Sequence, residues 1–192
     1  MATKTSELLS EAAPRAVAVV RALHDDQLDL PTPCADYSVR DLMNHLYQVV
    51  VNFQELAAKR PANWDKTDYL TDGWRDRFAA ETERLIGAWA DPAALEGVSP
   101  GMGLPPETVG EMGLIDLTVH AWDLARATGQ PFDAAPDVPA VLHAFMDRMG
   151  DTGQQMGAFA APVAAPVAAP PDASPLDRAL ARMGRHPAWS PR

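Results

Sequence analysis

Residues 106–129 read PETVGEMGLIDLTVHAWDLARATG, and the way this stretch is punctuated decides the fold. Pro106 suits the first turn of a helix, where its missing N–H would have no partner anyway. Gly129, with Pro131 just behind it, suits the stop. Projected at about 100° per residue, His120 falls about 40° to one side of Asp116 and Asp123 about 20° to the other. The three residues make one stripe at i, i+4 and i+7. Met112, Gly113, Val119, Leu124 and Ala127 flank that stripe. Glu111, Thr118 and Arg126 project elsewhere and are expected to face water, along with the ends of Ile115 and Trp122. Two carboxylates are thereby predicted to point into the apolar side. An unpaired buried carboxylate costs several kcal/mol or stays protonated, so something must compensate it. A divalent cation is the most economical candidate, because ligands at i and i+4 reach one ion readily.

Working outward, the other segments also read as helix. The first is expected from about Ser6 to Asp29, with Val17, Val20, Leu23 and Leu28 at compatible spacings. Leu30-Pro31-Thr32-Pro33-Cys34 breaks it. The second starts at Ser38, with Asp41 three residues on in capping-box spacing, and should reach about Arg60, before Pro61. Gly73 to Ala90 carries a third, with Trp74, Phe78, Leu85 and Trp89 at helical spacing. A Gly- and Pro-rich loop precedes Pro106, and a shorter fifth helix covers about Val138 to Met149. Phe159 to Pro171 reads FAAPVAAPVAAPP, where proline forbids ordinary helix; a strap packed over the bundle is expected, a partner-binding ligand being the other reading. Ser174-Pro175-Leu176-Asp177 then looks like a capped short helix ending at Gly184. Neither β-branched runs nor a Gly-rich phosphate loop supports a βαβ unit. The fold class is therefore all-α. We expect one domain over 1–192, with a four-helix bundle and short helix over about 1–150 and the strap and closing helix over about 151–192.

Composition narrows the function. The chain has 192 residues, 47% hydrophobic and 22% charged, an ordinary globular balance. Its formal net charge of −10 repels phosphate backbones and anionic lipid, so neither nucleic acid nor membrane is an expected partner. No apolar run reaches the roughly 18–20 residues of a membrane helix. The opening MATKTSELLSEAAPR lacks the basic-then-apolar order of a signal peptide. One cysteine, Cys34, excludes an intrachain disulfide and a thiolate-rich zinc cluster. A reducing, cytoplasmic setting is expected.

The second helix offers a third ligand. Its apolar arc runs from Leu56 through Val49, Phe53 and Leu46 to Val50, and His45 sits on the edge of that arc beside Asn52. Two imidazoles with one carboxylate leave a coordination position open. They suit zinc, or nickel, iron or manganese, better than calcium or magnesium. The plainer alternatives are a hydrogen-bonded core histidine at His45 and a salt bridge between Asp116 and His120. Asp123 reads as a group that fixes a histidine tautomer or pairs with an arginine. His24, His143 and His186 read as surface or loop residues. Cys34 reads as a buried structural thiol, or as a nucleophile if the following helix start lowers its pKa.

Three segments resemble a known family. TPCADYSVRDLMNHL (32–46) resembles the first-histidine motif of the maleylpyruvate isomerase N-terminal, DinB-like superfamily. IDLTVHAWDLARATGQP (115–131) resembles its second-histidine motif, and SPLDRALARMGRHPAW (174–189) the closing motif of an uncharacterised metal-binding subfamily. The resemblance implies a four-helix bundle whose metal ligands are His45, Asp116 and His120. The mycothiol-dependent isomerase has glutamate where this chain has the shorter Asp116. The resemblance further implies a low-molecular-weight thiol as co-substrate, held as thiolate and attacking a small electrophile, as in an S-transferase or isomerase. Asp123 would orient His120 or accept a proton. The competing reading is a non-catalytic metal- or ligand-binding module with a structural ion. The oligomeric state is open, a homodimer included.

Overall fold

A computed structural model describes residues 3–34, 37–155 and 172–191. Six α-helices run through them: α1 (Lys4–Arg21), α2 (Val39–Ala57), α3 (Trp74–Ala90), α4 (Pro106–Thr128), α5 (Val138–Gln155) and α6 (Pro175–Arg182). Among the described residues there is no strand, only an isolated bridge between Pro31 and Ser38. None of the helices is long and apolar enough to cross a membrane. The all-α expectation therefore holds. The strap expected over 159–171 lies outside the described residues.

Local chemistry sets most boundaries. Ser38 Oγ accepts from the Asp41 N–H while the Asp41 carboxylate accepts from the Ser38 N–H, closing the expected box on α2. Pro106 opens α4, and Gly129, at φ 70°, closes it. Three boundaries differ from expectation. α1 starts earlier, on a box between Thr3 and Ser6, and ends at Arg21 rather than near Asp29. Leu23 and Leu28 are buried all the same, because the chain around a 3-10 turn at Asp25–Gln27 folds back onto the core. Their spacing suited a helix that does not continue. α2 stops at Ala57, not Arg60: Lys59 turns left-handed at φ 57°, its N–H bonds to the Leu56 carbonyl and the Arg60 N–H to that of Glu55, the paired bonds of a Schellman ending. α5 runs six residues past Met149, since Gly150 costs a helix only about 1 kcal/mol and does not force a stop.

The bundle is a square. α1 packs on α3 and α4, and α2 packs on the same two helices. α5 covers another side of α4, and α6 packs on α5. α4 is thus enclosed on several sides, which corrects the expected outward face. Thr118, Ile115 and Trp122 are buried; only Arg126 is exposed, and Glu111 is half-buried in an ion pair with Arg148 of α5. The projection found one polar stripe on α4 but could not know that the opposite face also has a neighbour.

Two glycines let the helices approach. A Cβ at Gly110 would lie 2.5 Å from Thr5 Cγ2 and 3.2 Å from the Trp89 ring, and one at Gly113 would lie 2.8 Å from the Phe53 ring. Gly110→Ala is expected to lower stability by about 1–3 kcal/mol through overpacking, despite the better helix propensity of alanine. Urea unfolding checks this; a stabilised variant would show that α1 and α3 can recede freely.

Candidate metal centre

α2 and α4 lie side by side, and that contact brings the predicted ligands together. His45, Asp116 and His120 each offer a ligand atom, and the three atoms lie within 4.8 Å of one another. His120 Nε2 stands 3.6 Å from Asp116 Oδ1, and the His45 and His120 rings meet edge to face with centroids 5.1 Å apart. Tyr37 stacks on His45, with ring centroids 5.6 Å apart.

Asp123 faces the opposite nitrogen. Its Oδ2 lies 3.1 Å from His120 Nδ1, and its side chain has no exposed surface. Arg185, from the segment after α6, donates to both carboxylate oxygens: Nη2 to Oδ2 at 3.0 Å and Nε to Oδ1 at 3.3 Å. Asp123 thus contacts a histidine and an arginine at once. Arg185 escaped the residue-level reading. The signal that could have found it was the buried carboxylate itself, which needed a cation, together with an arginine inside the closing GRHPAW motif.

The electrostatics separate the two carboxylates. Burial would raise the Asp123 pKa, but the hydrogen bond from His120 and the charge of Arg185 outweigh it and hold the carboxyl below its ordinary value. Burial raises Asp116, and the opposing influence of His120 and Arg185 does not cancel it, although 29% of the side chain still meets solvent. Asp116 is the one short of positive charge. Burial, then the neighbouring His120 and Arg185, lower His45 to about 4, so at neutral pH it is an uncharged imidazole with a lone pair to give.

Cys34 lies on the Asp123 side. Its sulfur, a His120 nitrogen and an Asp123 oxygen form a second group within 4.8 Å, but Asp123 already accepts from Arg185 and pairs with His120 Nδ1. The remaining histidines stand apart. His24 and His186 are exposed, as expected; His143 is half-buried and contacts the Pro175 carbonyl at 3.0 Å, tying α5 to α6.

A cavity of about 620 Å³ opens beside His45, lined among others by Tyr37, Arg40, Asn44, Gln48, Trp64 and Lys66. Its roof is the loop after α2, held by a polar ladder with one rung per four residues. Asn44 Oδ1 accepts from the Tyr69 N–H at 2.7 Å, Gln48 Nε2 donates to the Asp65 carbonyl at 2.8 Å, and Asn52 exchanges two bonds with Asn63. Of this ladder only Asn52 drew notice in the sequence; its partners are irregular loop backbone that no periodicity marks.

A bundle of this architecture, with two histidines and a carboxylate converging between α2 and α4, is a DinB-like helical domain. The chain belongs to the mycothiol maleylpyruvate isomerase N-terminal domain family, whose profile matches residues 9–125. It is similar to two uncharacterised proteins of Mycobacterium tuberculosis, from strains CDC 1551 and H37Rv. Each is 32% identical over 173 residues, covering 88% of this chain and 90% of the relative. No solved structure matches the chain significantly.

The His45 shift gives a test with a definite sign. A folded value near 4 against an ordinary 6.5 means that the unfolded chain takes up a proton the folded chain refuses. The contribution of His45 to stability is therefore intact above about pH 6.5 and lost as pH falls towards 4; the raised Asp116 works the other way. In metal-free protein, the His45 ring resonance should titrate near pH 4 by NMR. A midpoint at the ordinary histidine value would mean that the ring is solvated.

Proposed function

We propose that this chain is a divalent-metal-dependent enzyme that activates a low-molecular-weight thiol for attack on a small electrophile, by S-transfer or by thiol-assisted isomerisation. The observation that carries this reading is the convergence of His45, Asp116 and His120 within 4.8 Å at the edge of a cavity of about 620 Å³. The donor set fits a metal on three counts. His45 is held neutral, His120 is bonded through Nδ1 so that Nε2 is available, and Asp116 is a desolvated carboxylate without a committed cation. Two imidazoles and a carboxylate favour zinc, with nickel, iron and manganese as the other first-row choices. A bound divalent ion supplies the charge that lowers the pKa of a coordinated thiol, making a nucleophile at neutral pH.

The chain's own residues do the rest. Of the three candidate ligands His45 lines the cavity, so a thiol entering there would meet the cluster at His45. Tyr37 packs on the His45 ring and limits its rotation. Asn44, Gln48, Arg40 and Lys66 give the cavity polar walls for a water-soluble co-substrate. Asp123, fully buried and bonded at both oxygens, orients His120 rather than receiving a substrate proton. This reading implies a reducing compartment, the cytoplasm, where such a thiol is abundant.

Elemental analysis of the purified chain should find close to one zinc or related ion per molecule. His45→Ala combined with His120→Ala should abolish both metal uptake and thiol-dependent consumption of an electrophile. Asp123→Asn should keep the metal and lose about 10–100-fold in activity. Loss of the metal in Asp123→Asn would point instead to a closed, structural site, and full occupancy in the double variant would falsify the ligand set.

A further inference from the structure

Arg185 lies outside the 9–125 stretch matched by the family profile, on the segment that follows α6. It is nevertheless 7% exposed, an unusual burial for a guanidinium. Gly184 at φ 78° reverses the chain just before it, and the Arg185 N–H bonds to the Leu180 carbonyl at 2.9 Å. Its Nη1 donates to the Met183 carbonyl at 3.1 Å, which leaves Nε and Nη2 as a fork on the two oxygens of Asp123. His120 Nδ1 meets the same Oδ2 that takes the Nη2 bond.

A carboxylate that accepts from a guanidinium at both oxygens is ionised and can only accept. The contact to His120 is then an N–H donated by Nδ1, which turns Nε2 towards Asp116 and His45. Without the fork the carboxylate is free to turn about its own bonds, and the ring of His120 loses the fixed acceptor that sets which of its nitrogens faces α2.

We propose that Arg185 is a positioning residue of the metal centre: its two-point fork fixes the Asp123 carboxylate against His120 Nδ1 and so holds the ring with its proton there and Nε2 towards Asp116 and His45. The closing segment thereby completes a site whose ligands all belong to the bundle. The role in metal binding rests on the reading that His45, Asp116 and His120 hold an ion; the effect on His120 does not.

The test uses the full chain in three forms: unchanged, Arg185→Gln and Arg185→Lys. Nitrogen-15 NMR of the metal-free protein, above the pH at which the ring of His120 takes up a second proton, reads the tautomer, and competition titration reads zinc affinity. The unchanged chain should carry the His120 proton on Nδ1. Arg185→Gln should shift it towards Nε2 and weaken zinc by about 10–100-fold. Arg185→Lys keeps the charge without the fork and should fall well short of the unchanged chain, because an ammonium does not hold both carboxylate oxygens in one plane. A merely structural arginine would not move the tautomer. Unchanged tautomer and affinity in Arg185→Gln overturns the proposal, as does Arg185→Lys performing as well as the unchanged chain. An Nε2 proton in the unchanged chain overturns it without any variant, so the test survives a glutamine variant that fails to fold. If the unchanged chain takes up no zinc, the metal reading falls, and the tautomer arm still decides what Arg185 does to His120.

Discussion

Removing a carboxylate from water costs several kcal/mol unless donors replace the lost solvent. Asp123 has no exposed side-chain surface, and its replacement donors come from two places far apart in the chain. His120 is one turn away on the same helix, and Arg185 arrives from beyond α6, sixty-two residues later. Much of the rest follows from that requirement. The closing segment must dock, Gly184 must turn it, and the ring of His120 must present its other nitrogen to α2. Breaking such a buried pair from one side typically costs about 3–5 kcal/mol, because the partner charge is left uncompensated.

The same helix carries a second carboxylate with a different fate. Asp116 is less completely buried than Asp123, yet among the described residues no guanidinium bonds to it, and His120 stands 3.6 Å away. One carboxylate is satisfied by the protein, and the other is left with its charge deficit beside two imidazoles. That asymmetry is what distinguishes a candidate ligand from a supporting residue here. Sequence position could not, because both aspartates lie on one stripe of α4.

The cavity shows how two scales of structure combine. The Asn44, Gln48 and Asn52 ladder is a helical periodicity, legible once one looks for polar residues four apart. What the ladder binds is loop backbone, and from that loop Trp64 and Lys66 line the same cavity as His45. The family match covers the stretch that carries the three candidate ligands, while the relatives cover 88% of the chain.

By itself the sequence determined the helical class, the caps at Ser38, Pro106, Gly129 and Ser174, and the stripe that puts Asp116, His120 and Asp123 on one side of α4. These are local matters: each depends on residues within about two turns, where capping and the 3.6-residue period act directly. Only the tertiary structure decided what lies against each face. Thr118 and Trp122 are buried because α4 has neighbours on several sides, and no projection of one helix contains its neighbours. Leu23 and Leu28 reach the core from a loop, so an apolar spacing that suits a helix is met without one. Arg185 meets Asp123 for the same reason: a buried charge states that it needs a partner, but which distant residue supplies it depends on how the whole chain packs.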